Sequence, residues 1–216
     1  GIAGEAMLRA ETPQEHFNLI GAGRRNLIIN GDFQVSQRGD YSSATNITSN
    51  VFWLDRWKFE GTISRTVQRL GRSKLPNGDT AYSAKTITTA SGTGYIGQRY
   101  VIEDFAILSE KNVVWSFWYK TNNKDFVLRH SGTTNLDFTA VADEQWHYAT
   151  VPYFFPEATT NNSSAGGTGF YFATLSSNGG NVALATGDYF EIAQVQLEVG
   201  KVATPFEHRS YGEELA

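Results

Sequence analysis

Apolar runs of strand length recur along this chain, each stopped by a cluster of Gly, Asn, Ser, Asp or Thr. VFWLDRWKF (51–59) places two Trp and two Phe within nine positions, and NVVWSFWYK (112–120) is apolar on both faces except at Ser116. Similar runs follow at FVLRH, Trp146–Val151, GFYFATL, NVALA and DYFEIAQVQLEV. Aromatic and β-branched side chains fit a pleated, half-buried surface, and short runs bounded by turn residues read as strands. Leu75-Pro76-Asn77-Gly78-Asp79 is a turn with a mechanism, because Pro presets φ and Asn-Gly tolerates positive φ. Two more strands are expected near the start, in NLIING (26–31) and around Phe33 and Val35. Roughly ten strands with little helix predict an all-β fold, a two-sheet sandwich or jelly roll.

A chain of 216 residues, 40% hydrophobic, can bury a core as one such unit. The expected division is a lead-in over 1–25 and a β-sandwich over 26–216. The lead-in mixes helix formers with Pro13 and closes on Gly21, Gly23 and Arg24–Arg25, and its sparse Met7, Leu8 and Phe17 are the candidates for self-association. The start at Gly1 reads as a fragment or a processed chain.

Composition excludes several functions. The net charge is −4 with no long basic block, so the footprint of a nucleic-acid binder is missing. No cysteine is present, which removes disulfides, thiolate catalysis and Cys-rich zinc sites. No apolar run approaches the ~20 residues of a membrane helix, and no signal peptide is visible; membrane insertion is not expected.

The motifs that could carry chemistry fail in context. Gly92-Thr-Gly-Tyr-Ile-Gly97 spells GxGxxG, but bulky alternating residues follow where a dinucleotide site needs a helix. A glycine-rich β-turn is the better reading. His16, His130, His147 and His208 are too scattered to form a metal motif. The acid pairs Glu103–Asp104, Asp143–Glu144 and Glu213–Glu214 are sequence neighbours, which point to opposite faces of a strand rather than across a cleft. The sequons at Asn46, Asn161 and Asn162 fit chance occurrence in Asn/Ser-rich loops. The chain is not expected to be an enzyme.

Binding is the remaining function. Flat rings beside Asn, Gln and Arg suit sugars, which present apolar faces and hydroxyl rims. Most of Trp53, Trp57, Trp115, Trp118 and Trp146 should be core; Trp53 is favoured as a contact because a polar loop leads into it. Tyr41, Asn46, Trp53, Asn122, Asn123, Arg129 and His130 lie in or beside expected loops, where function concentrates on sandwiches, and are the candidate glycan contacts. The polar stretch EATTNNSSAGGTG (157–169) is long enough to be mobile or functional.

NLIINGDFQVSQRG, then Asp55-Arg56-Trp57, GYIGQRY, VVWSFWYK and the closing FEIAQVQLEVGKVATPFEHRSYGEELA resemble a module common in phage tail fibres and related virion proteins. The resemblance runs from about Asn26 to the end, where the family's closing segment often continues further. It implies a jelly-roll β-sandwich of two antiparallel sheets, similar to galactose-binding-like carbohydrate modules. It further implies a place on the virion surface, in a tail or head fibre, a homotrimer, attachment to other virion proteins through the N-terminal segment, and a host-surface glycan as ligand. Two alternatives remain open: a structural head-fibre, capsid-decoration or fibre-assembly protein, and a carbohydrate-binding module of a secreted glycan-degrading enzyme. Related carbohydrate modules hold a structural calcium between an opening NGxFE and a closing acidic strand. Here Gln34 and Ala193–Gln194 stand where those acids would be, leaving Asp32 and Glu191 as the calcium candidates.

Overall fold

The computed structural model describes residues 25–102, 108–130, 135–155 and 169–214. Met7, Leu8 and Phe17, and nearly all of the polar stretch 157–169, lie outside the described residues.

Among the described residues thirteen strands follow in chain order: β1 (Thr45–Asn46), β2 (Val51–Leu54), β3 (Trp57–Gly61), β4 (Arg65–Lys74), β5 (Thr80–Thr88), β6 (Gly92–Gly94), β7 (Ile96–Val101), β8 (Asn112–Thr121), β9 (Phe126–His130), β10 (His147–Phe154), β11 (Gly169–Thr174), β12 (Val182–Leu184) and β13 (Tyr189–Val199). One helical turn, Tyr211–Glu214, comes near the end. A six-stranded sheet in the order β1-β4-β5-β13-β8-β10 packs on a five-stranded sheet in the order β2-β3-β7-β11-β9. A short β12-β6 ribbon is separate, and all pairings are antiparallel. From β7 to β11 every connection crosses from one sheet to the other, which is jelly-roll connectivity.

Alternation explains the layers. Along β3, β7, β11 and β9 the side chains of Trp57, Phe59, Ile96, Tyr100, Phe170, Phe172, Phe126 and Leu128 turn inward and are buried. Trp115, Phe117, Phe190 and Ile192 meet them from the six-stranded sheet. The rings pack edge-on or tilted, as between Phe117 and Phe172 at 4.9 Å and 82°, an arrangement the ring quadrupole favours. One polar link crosses this core. The Trp53 indole N–H donates to Gln98 Oε1 at 2.6 Å, and Gln98 Nε2 donates to Thr86 Oγ1 of the opposite sheet at 2.6 Å.

The turn between β4 and β5 is as read from the sequence: Gly78 takes a φ of 95°, and Leu75 N–H donates to Asp79 O at 2.8 Å. The opening segment differs from expectation. NLIING and the stretch around Phe33 and Val35 form no strand, because Asn26 and Asn30 turn their amides onto the main chain. Asn26 Oδ1 accepts from Ile28 N at 2.9 Å and Leu197 N at 3.0 Å, and its Nδ2 donates to Val195 O at 3.1 Å. Asn30, at φ 57°, bonds Val35 N, Val35 O and Asp55 O. Gly31 O accepts from Val195 N at 2.9 Å, beside a bulge in β13 where Gln194 has φ 47°. A Cβ on Gly31 would lie 2.1 Å from Val195 O. Glu207 and Arg209 complete the clasp by bonding the backbone N and O of Asn26, respectively. The opening and closing segments that carry the family resemblance therefore meet and hold each other.

Candidate functional site

The outward positions of the five-stranded sheet line up by register. Phe52 of β2 pairs with Lys58 of β3, Lys58 with Arg99 of β7, Arg99 with Tyr171 of β11, and Tyr171 with Arg129 of β9. Arg129 in turn bridges to Asn135. One row thus carries three cations and two aromatic rings across five strands. The next row reads Glu60, Gly97, Ala173, Val127. Its two middle residues are small, so the sheet surface is hollow beside the charged row. The last glycine of the GxGxxG sequence lies in that hollow, on a strand and not in a phosphate loop. Glu60, Tyr95, Arg129, Tyr171, Leu175, Gly179 and Asn181 enclose a depression of about 220 Å³.

Charge in this site is arranged by pairing. Glu60 Oε1 accepts from Arg99 Nη1 at 2.7 Å and lies 3.6 Å from Lys58 Nζ. The Arg99 side chain is only 2% exposed, and its guanidinium sits 5.1 Å from the centroid of the Tyr171 ring. Burial, then the nearby Glu60 charge, raises the Tyr95 hydroxyl above the ordinary tyrosine pKa. Arg129 is held differently. Its Nη1 donates to Asn135 Oδ1 at 3.1 Å, and Asn135 Nδ2 donates to Ser176 O at 2.9 Å. Gly179, at φ 79°, lies so close that a Cβ there would be 1.9 Å from Arg129 Nη1. Among the described residues no carboxylate pairs with Arg129.

The other sheet exposes a second aromatic surface. Trp118 and Tyr148, paired across β8 and β10, have ring centroids 5.2 Å apart. Lys120 lies 5.0 Å over the Trp146 ring and 3.1 Å from Glu191 Oε2. Both Trp rings pack on a small apolar cluster of Leu75, Ala81 and Ala193.

The loop-based candidates are placed as follows. Arg129 lines the depression. Trp53 is wholly buried, so it is a core residue and is withdrawn as a ligand contact. His130 points inward too, stacked on Phe170 at 5.0 Å and 25°, and burial pushes its imidazole down to about 4. Asn122 and Asn123 are structural amides: Asn122 bonds Gly187 O and Tyr189 N, and Asn123 bonds Asp188 and Asp125 N. Tyr41 sets the edge of its ring on Trp53 at 5.2 Å and 88°. Asn46 is exposed and lines a separate shallow depression with Thr48, Ser49 and Arg65.

The calcium candidates are each engaged within the protein. Glu191 accepts from Ser83 Oγ at 2.6 Å and pairs with the Lys120 ammonium, while Asp32 faces Arg72 at 3.9 Å. Among the described residues no three His, Cys, Asp or Glu side chains cluster as a cation site, whereas calcium takes six to eight oxygens, several of them carboxylate.

Lys58, Glu60, Tyr95, Arg99, Tyr171 and Asn181 were not singled out from sequence. The available signal is a polar or phenolic residue between two inward apolar ones, as in Trp57-Lys58-Phe59 and Phe170-Tyr171-Phe172. That pattern identifies an outward face, but it does not show which strands lie side by side.

No family model matches this chain, and no curated protein matches it. Among solved structures it is similar to the family 11 carbohydrate-binding module of the cellulosomal cellulase Lic26A-Cel5E of Clostridium thermocellum, at 13% identity and a TM-score of 0.43, over 74% of this chain and 97% of that one. It is similar to TmCBM61 in complex with beta-1,4-galactotriose, at 14% identity and a TM-score of 0.42, over 82% of this chain and 99% of that one. It is also similar to the enzymatically active domain of bacteriophage CBA120 tailspike protein 4, at 12% identity and a TM-score of 0.42, over 81% of this chain and 21% of that one.

Proposed function

We propose that this chain is a glycan-binding domain of a phage virion fibre, and that it engages a host-surface glycan through the outer face of its five-stranded sheet. The observation that carries the binding reading is the row Lys58–Arg99–Tyr171–Arg129 beside a depression of about 220 Å³. A ring face, one fixed guanidinium fork and a carboxylate around one concavity are what a sugar needs: a surface for its C–H face and directional partners for its hydroxyls. The groups stand on strands, so little ordering is required on binding. The mechanism is recognition, with no bond made or broken. The fibre assignment rests on the sequence resemblance, as does a homotrimer, in which three weak sites on one fibre gain avidity without new contacts.

The test is a glycan array and a cell-adsorption assay with the wild-type domain and two variants. Tyr171→Ala is expected to lower glycan affinity at least tenfold with the fold intact by circular dichroism. Trp118→Ala is expected to leave affinity unchanged. The opposite pattern moves the site to the six-stranded sheet, and a wild-type domain that binds no envelope glycan refutes the reading.

A structural fibre or capsid-decoration role is the second reading. It is favoured by the outer side of the edge strand β10, where Tyr148 and Phe154 are exposed, together with Val199 and Val202 elsewhere on the surface. Deleting the domain separates the two: loss of adsorption with intact particles supports receptor binding, and failed assembly supports the structural role. A catalytic domain in the same full-length gene would instead favour a module of a secreted enzyme.

A further inference from the structure

We infer that the sugar read at this face is acidic: a carboxylate-bearing unit, such as a uronic or sialic acid, whose carboxylate docks on Arg129. This inference rests on the glycan-binding reading of the same site. The chain as a whole is acidic, at −4, yet Lys58, Arg99 and Arg129 are grouped in one row of this face, and Glu60 is the one carboxylate among the described residues that line the depression. Glu60 is engaged with Arg99 at 2.7 Å and Lys58 at 3.6 Å. Arg129 is the remaining cation, and its side-chain bond goes to a neutral amide. That bond places it without neutralising it. Asn135 is itself anchored to Ser176 O, and the positive-φ Gly179 leaves room for the guanidinium where any side chain would collide. A cation held in place beside a concavity, with no anion among the described residues to pair with, is arranged for an anion that arrives with the ligand.

The chemistry favours a carboxylate. A guanidinium fork matches a planar carboxylate with two parallel hydrogen bonds. Glu60 lines the same depression, so a monoanionic group meets less like-charge repulsion there than a dianionic one. Tyr171 and Tyr95 supply apolar surface for the ring that carries the carboxylate.

The experiment is calorimetric titration of the 216-residue chain with galacturonate trisaccharide and with neutral galactotriose. The acidic trisaccharide is expected to bind at least tenfold tighter at low salt, and the difference should shrink as salt is raised. Arg129→Gln should reduce binding of the acidic sugar to the level of the neutral one, while Arg129→Lys, which keeps the charge and loses the fork, should fall between. Equal, salt-insensitive binding of both sugars overturns the acidic preference and leaves the glycan reading standing. Tight acidic binding unaffected by Arg129→Gln also overturns it. Binding of neither sugar, together with an empty glycan array, overturns both.

Discussion

Asn30 makes the strongest case that a motif residue here is structural. Its side chain donates to Val35 O at 2.9 Å and Asp55 O at 3.0 Å and accepts from Val35 N at 2.9 Å. Its backbone O accepts from the Trp57 indole at 3.0 Å, and its φ of 57° is one that Asn tolerates better than most residues. Asn30→Ala strips two buried bonds and one part-buried bond and leaves their partners unsatisfied, so a loss of about 2–4 kcal/mol is expected in urea denaturation. Gly31→Ala should be at least as damaging, because the new methyl would sit 2.1 Å from Val195 O. Gly71→Ala, which meets nothing within 4 Å, is the control and should be near neutral. By apolarity alone NLII and FQV read as strand. The local pattern does not reveal that two Asn side chains take over backbone groups a ladder would otherwise use.

At the level of strands, the inward pattern was legible and the outward juxtaposition was not. Runs such as FWLDRWKF and NVVWSFWYK announce strands because their ring content and turn boundaries are local properties. The site is non-local. Lys58, Arg99, Arg129 and Tyr171 come from four strands, and only the order β3-β7-β11-β9 and its register set them side by side. Loop position is legible by comparison, yet two loop residues, Asn122 and Asn123, fasten turns. The Arg99–Glu60 pair ties these strands together under the site. Glu60→Gln removes the carboxylate paired with a buried guanidinium and should cost about 3 kcal/mol. Replacing both residues with Met should restore most of that stability, since apolar groups often substitute well for a buried ion pair. Glycan affinity should not return in the double variant. Recovery of binding along with stability would mean that the pair acts only as structure.

Two buried groups pull the stability of the whole molecule in opposite directions as pH changes. His130, held neutral by burial, has its pKa lowered from 6.5 to about 4. Its contribution is complete above the unfolded pKa and is lost as pH falls from about 6.5 to 4, because the unfolded chain takes the proton first. Asp32 is the reverse. Burial outweighs the attraction of Arg72, and with help from Glu214 and Asp79 raises its carboxyl from 3.8 to about 7. Here the native state holds the proton, so this contribution is complete below 3.8 and is lost as pH rises toward 7. Each effect is on the order of 3 kcal/mol, and between pH 4 and 6.5 they offset, which predicts a flat wild-type profile. Single variants should expose the slopes. Asp32→Asn should be more stable than wild type at pH 8 and should lose stability steadily as pH drops below 6.5. His130→Phe, which preserves the stack on Phe170, should instead gain stability as pH falls from 7 to 4. Measurements belong above pH 4, because below it the exposed Asp40 and Asp143 and the half-buried Asp79, whose carboxyls hydrogen bonds hold low, begin to titrate. Urea midpoints across that window decide the matter: if both variants keep the wild-type profile, neither group is titrating as its burial requires.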